Sequence, residues 1–291
     1  MKNNITMYKS VFTLSAVLLL AQIVFSQTIP ADSKFLGQTA PGAKPEKFNL
    51  SVNAGSFAAE RIAISNDGKE IYYSEVKNYY PATGDTIKFY RYADNKWTGP
   101  YNLFAGYISP TLTTTGDTMF FETAKTNYET YYSVKKGNHW SAPQRILKNL
   151  NSAHYLQVTD LGNYYISSVA EDGIGASDWC KLVISGTDTV VTSFGKPLNT
   201  ENDNLDFYIA RDESFMIIAT GSGLAISYKK SDGEWTSPKN LGKEINFGLA
   251  SWGPYVTADC KYLFYSTGAK SDYSDTGIYW VKFDQLKTFV P

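Results

Sequence analysis

The sequence predicts an all-β chain folded as a five-bladed β-propeller, with four-stranded antiparallel blades and a ring closed by a strand near the N-terminus. Two repeating signals predict it. A tight turn followed by a run of β-formers recurs five times. An aromatic residue followed three places later by proline recurs four times, in step with the turns. Beyond residue 26 no stretch carries helical periodicity.

In chain order, Lys2 and Lys9 precede the apolar run VFTLSAVLLLAQIVF (11–25), with small residues at Val24 and Ser26. That is the pattern of a secretory signal peptide, assigned to residues 1–26. The run is short for a membrane span, and no cysteine near the cut marks a lipoprotein. The mature chain is therefore expected to be periplasmic or secreted, without a transmembrane span. Residues 27–44 read as a flexible leader and residues 45–291 as one propeller domain.

The turn-plus-strand units are SNDGKEIYYSE (65–75), TTGDTMFFET (114–123), DLGNYYISS (160–168), RDESFMIIAT (211–220) and TADCKYLFYS (257–266). Gly-containing turns flanked by Tyr, Ile and Phe signal hairpins. The aromatic–proline pairs are Trp97/Pro100, Trp140/Pro143, Phe194/Pro197 and Trp235/Pro238, with ring spacings of 43, 54 and 41 residues. Four strands in each unit of this length describe a propeller blade. Proline lacks an N–H and belongs on a sheet edge, so these pairs mark the outermost strand. The tryptophans are expected to pack between blades. Blades are placed at about 57–104, 106–147, 152–199, 203–242 and 248–285.

Four aromatic–proline copies serve five turns. The last unit ends after TGIYWVKF (276–283) with three strands, while KPEKFNL (44–50) near the N-terminus reads as an outer strand. Residues 45–52 are therefore expected to complete the last blade and remove the open edge.

These units resemble the WD40-like, TolB-type (PD40) propeller repeats of exported bacterial proteins. Those repeats carry a Ser-Pro-Asp-Gly-Lys turn, an apolar strand and a Trp-Ser-x-Pro edge. The resemblance covers essentially the whole mature chain and implies the fold, because its motif residues are structural. Asn66 stands where the repeat has proline, and Cys260 where it has glycine.

Composition narrows the function. Lys plus Arg total 27 and Asp plus Glu 28, and no basic run appears, so nucleic acid is not an expected partner. The 22 Tyr, 16 Phe and 6 Trp suit a β-rich exported protein that packs or displays rings. Cys180 and Cys260 lie in units that are not neighbours and are expected to remain free thiols. His139 and His154 lack metal-ligand spacing, so no metal or cofactor is expected.

Function in a propeller gathers at the channel mouth and loops. Counting eight and seven residues back from the turn positions Gly68, Gly116, Gly162, Ser214 and Cys260 gives two rows. The first holds Glu60, Ile108, His154, Asp206 and Trp252; the second holds Arg61, Ser109, Tyr155, Phe207 and Gly253. Such irregular rows on a repetitive scaffold nominate Glu60, Arg61, His154, Tyr155, Asp206, Phe207 and Trp252 as a ligand-binding cluster. The expected function is a monomeric, non-catalytic binding or interaction module of the cell envelope, for a protein, peptide or glycan. The alternative is a glycoside hydrolase-like enzyme with Glu60 and Asp206 as paired carboxylates, joined by Asp172 or Asp178. SDGEW (231–235) reads as a hairpin turn and GSGLA (221–225) as a shortened inter-strand loop, since neither has the context of an Asp-box or a phosphate loop.

Overall fold

The computed structural model describes residues 28–77, 84–123, 127–185 and 188–284. Residues 1–26, where a signal peptide is expected, lie outside the described residues. Five antiparallel sheets form a ring of blades. The chain begins with β1 (Glu46–Lys47). Blade one is β2 (Phe57–Ile64), β3 (Glu70–Val76), β4 (Thr86–Ala93) and β5 (Lys96–Ala105). Blade two is β6 (Ile108–Leu112), β7 (Thr118–Thr123) and β8 (Glu129–Lys136). Its outer edge is split into β9 (His139–Trp140) and β10 (Gln144–Arg145), both paired to β8. Blade three is β11 (His154–Val158), β12 (Tyr164–Ser168), β13 (Asp178–Ser185) and β14 (Asp188–Ser193). Blade four is β15 (Phe207–Ile209), β16 (Phe215–Thr220), β17 (Gly223–Tyr228) and β18 (Lys239–Asn240). Blade five is β19 (Ala250–Val256), β20 (Tyr262–Gly268) and β21 (Gly277–Lys282), completed by β1. No helix among the described residues is long and apolar enough to cross a membrane.

The N-terminal strand closes the ring. Glu46 pairs with Trp280 and Lys47 with Tyr279, and the Phe48 N–H donates to Ile278 O at 2.8 Å. The register follows the prolines. Ile146 and Leu241 donate in the same way to Thr130 O and Leu224 O, each three residues after Pro143 or Pro238, as Phe48 follows Pro45. Phe48 thus fills the place of Leu241. Its ring lies 5.3 Å from Phe264 and 5.1 Å from Trp280, fully buried.

The leader departs from the expected flexible segment. Ala31–Ser33 and Phe35–Gly37 form two 3-10 turns. The Phe35 ring sits 5.3 Å from Tyr262 and 5.2 Å from Trp280, and Trp97 Nε1 donates to Ser33 O at 2.7 Å. The apolar gain of covering these rings outweighs the chain entropy of ordering a short segment. The edge tryptophans divide as well. Trp235 is buried, with Phe194 of blade three 5.9 Å from it, whereas Trp97 and Trp140 are half-buried at the rim.

Hairpins joining the two inner strands crowd one face, and the starts of the inner strands face the other. The turn residues Gly68, Gly116, Gly162 and Cys260 all take left-handed φ, between 52° and 77°. In blade four that conformation falls on Glu213 (φ 60°), not on Ser214.

Candidate functional site

Each inner strand except that of blade four carries a bulge near its start. In blades two, three and five, two residues oppose one on the next strand: Ser109 and Pro110, Tyr155 and Leu156, Gly253 and Pro254. In blade one there are three, Glu60, Arg61 and Ile62. The first bulge residue is left-handed throughout, with φ of 64° at Glu60, 58° at Ser109, 56° at Tyr155 and 60° at Gly253. A bulge re-aims side chains, and here it turns them into the channel.

The freed bulge N–H groups tie blade to blade. Ser109 N donates to Ser74 Oγ at 2.9 Å, Tyr155 N to Glu122 Oε2 at 3.2 Å, and Gly253 N to Asp206 Oδ2 at 2.8 Å. Ser266 Oγ donates to Glu60 O at 2.9 Å, joining blade five to blade one. The extra residue of blade one sends Arg61 across the channel. Its guanidinium donates to Thr111 Oγ1 at 2.9 Å and to Phe207 O, and lies 3.9 Å over the Tyr155 ring. A buried guanidinium held by acceptors and a ring face is strongly oriented.

His154 is the hub. Nδ1 lies 3.0 Å from Glu122 and Nε2 2.9 Å from Asp206. Its ring is sandwiched between Tyr128 at 3.9 Å and Tyr155 at 4.1 Å. Burial alone would lower its pKa, but the Glu122 charge and the hydrogen bonds of both carboxyls outweigh it and lift the imidazole to about 10. His154 is therefore an imidazolium donating through both nitrogens. Glu60 behaves oppositely: burial, then the charge of Asp206, pushes its carboxyl up to about 8. The Tyr155 hydroxyl donates to it at 2.9 Å. Burial also acts to raise Asp206, but bonds from His154 and the Gly253 N–H hold it below its ordinary value.

Six of the nominated residues thus meet in one cluster. Glu60, Arg61, His154, Tyr155, Asp206 and Phe207 are linked by direct contacts, while Trp252 lies in blade five with its ring 6.0 Å from Tyr273. They form a plug rather than an open pocket: Arg61, His154, Tyr155, Phe207 and Trp252 are buried, and the Asp206 side chain keeps 12% exposure. Asp172 and Asp178 stand apart in blade three. Asp178 binds Ile174 N, Gly175 N, Ser193 Oγ and Asn204 Nδ2, and so folds its own loop. Among the described residues no group of His, Cys, Asp and Glu could hold a metal ion. Neither Cys180 nor Cys260 takes part in a disulfide.

Concavities of ligand size lie on the hairpin face. Three, of about 510, 470 and 460 Å³, surround the blade-one hairpin and the leader. The channel opens there into a space of about 40 Å³ lined by Arg61, Gln157, Tyr208 and Arg211, enough for a water or two.

No family model matches the chain. No curated protein matches it either. Similar solved structures include TolB from Acinetobacter baumannii, with TM-score 0.48 and 13% identity over 77% of this chain and 56% of that one. An oligogalacturonate lyase from Vibrio parahaemolyticus has TM-score 0.43 and 10% identity, over 79% of this chain and 67% of that one. Hydrazine synthase from Kuenenia stuttgartiensis has TM-score 0.48 and 16% identity, over 82% and 39%. The chain spans about half the length of the Acinetobacter TolB structure. At such identities no side-chain role passes from these proteins to this chain.

Proposed function

We propose that the chain is a binding or interaction module of the cell envelope, a rigid ring that captures a glycan, peptide or envelope protein without catalysing a reaction. The observation that carries this reading is the closure of the channel cluster. Its cations and carboxyls engage one another across the blades, while spaces of ligand size lie on the hairpin face. A buried network of charge-assisted hydrogen bonds that crosses the blades rigidifies a fold, and a rigid scaffold suits recognition on its surface. Export to the envelope rests on the basic and then apolar N-terminal stretch.

The rival reading has its own support. Glu60, pushed up to about 8, beside an Asp206 held low is the pairing of an acid with a base. The deciding experiment exposes the wild-type chain to a glycan array and to purified envelope fractions, identifies what is retained, and assays released sugar. Retention without release supports the module. Release that disappears in Glu60→Gln overturns it in favour of a glycan-cleaving enzyme.

A further inference from the structure

We propose that the groove between blades one and two on the hairpin face binds the carboxylate of a small acidic ligand. The groove encloses about 470 Å³, lined by Lys69, Arg91, Lys135, Asn66, Thr115 and Asn138 together with Asp67 and Glu70. Three cationic side chains thus face two acids, and both acids are already engaged. Asp67 closes its own turn, accepting from Ser65 Oγ at 2.6 Å and from the Lys69 N–H at 3.0 Å. Glu70 is buried and accepts from Arg91 Nε at 2.9 Å, from Tyr72 Oη at 2.6 Å and from Lys135 Nζ.

Glu70 therefore acts as an anchor that gathers two cations, one from each blade. Arg91 Nη2 also donates to Asn138 O at 3.1 Å, which fixes the guanidinium between blades. Lys135 lies 5.7 Å over the Trp140 ring. Both cationic side chains remain partly open, at 24% and 22% exposure. Among the described residues Arg91 Nη1 has no partner, and Lys135 Nζ has no acceptor other than Glu70, which leaves it two further N–H groups. One carboxyl cannot satisfy two such groups, so fixed donors are left at the groove wall. A second carboxylate, supplied by a ligand, completes them in the charge-assisted geometry that guanidinium favours. The volume leaves room for a ligand as large as an acidic sugar.

The inference rests on the binding-module reading. It is tested by calorimetric titration of the full mature chain with glucuronate, glucuronate methyl ester and N-acetylglutamate. Glucuronate should bind at least tenfold more tightly than its uncharged ester. N-acetylglutamate distinguishes the source: comparable affinity means the carboxylate alone is recognised, and weaker affinity means the sugar ring contributes. Thr115→Glu places an anion at the exposed rim without touching Glu70. It should weaken glucuronate at least tenfold with an unchanged melting temperature. Lys135→Met should weaken it too, with some loss of stability. Equal binding of acid and ester, binding indifferent to Thr115→Glu, or no binding of either acid overturns the inference. If neither acid binds while a partner is still retained from the glycan array, this site falls and the module reading stands.

Discussion

His154 and Asp206 meet at 2.9 Å across the boundary between blades three and four, and the same imidazole reaches Glu122 of blade two at 3.0 Å. One side chain thus pins three blades around the channel. Because the ring is buried and charged, removing it leaves two buried carboxyls without the cation that bonds to both. His154→Leu should destabilise the fold by about 3–5 kcal/mol, the usual cost of breaking a buried pair from one side. Urea denaturation measures this directly. A loss of less than about 1 kcal/mol, the range of exposed ion pairs, would contradict the hub role.

The same cluster sets a pH dependence. Glu60 titrates at about 8 in the fold against an ordinary 4.5, so the folded state holds a proton that the unfolded chain releases, and stability falls as pH rises through that interval. His154 is raised from 6.5 to about 10, so its contribution is full below 6.5 and lost as pH climbs through 10. Asp206 is lowered from 3.8, so its contribution is present above that value and lost as pH falls through its folded value. Stability should peak near about pH 5 and decline toward 10. Glu60→Gln should flatten the limb between 4.5 and 6.5, lessen the slope from there to 8, and leave the decline due to His154. Urea midpoints measured across this range check it; a midpoint that rises from pH 5 to 9 contradicts it.

Ring closure gives a third expectation. Phe48 fills the outer-strand position of blade five against Phe264 and Trp280, and Phe35 of the leader adds a second ring to that cluster. Phe48→Ala should cost about 3–5 kcal/mol, and deleting residues 27–52 should lower the melting temperature further by opening a sheet edge. An unchanged melting temperature in the deletion would rule out closure by this segment.

The fold was legible because a propeller repeats its constraints: turn residues at Gly68, Gly116, Gly162 and Cys260 adopt one conformation, and Pro45, Pro143 and Pro238 each precede an outer strand. The cluster was legible by counting from those turns, with one slip. Blade one carries one more bulge residue than blades two, three and five, so Ala59, not Glu60, is the true counterpart of His154 and Trp252. In blade four the left-handed residue is Glu213, one place earlier, but the bulge is missing; the two differences cancel, and Asp206 bonds to Ala219 in step with Trp252 opposite Ser266. The shift in blade one leaves no mark in composition, because an inserted bulge residue changes no periodicity outside itself. Glu122 was missed altogether. It stands six residues after its turn glycine, where blade one has Ser74 and blade five, counted from Cys260, has Ser266, and that exception in a row of serines was the readable signal. The burial of the plug was not readable, since it depends on Arg61 crossing the channel.

Gly253 yields the last expectation. Its φ of 60° matches the other bulges, where Ser109 and Tyr155 tolerate the same conformation, so backbone freedom alone does not require glycine there. Space does. A Cβ at Gly253 would lie 2.7 Å from the carbonyl carbon of Glu60 and 2.9 Å from Arg61 N, both backbone atoms of blade one. The extra bulge residue of blade one thus presses its backbone against blade five, and only a residue without a side chain lets them meet. Gly253→Ala must push the two blades apart, which also draws the Gly253 N–H away from Asp206. The combined overpacking and strain should cost about 2–4 kcal/mol. Gly162→Ala is the control: it has a similar φ of 77° but nothing within 4 Å of a new Cβ, and should cost about 1 kcal/mol. Chemical denaturation of the two variants side by side decides the matter. Equal losses would mean that conformation rather than the contact between blades one and five governs Gly253.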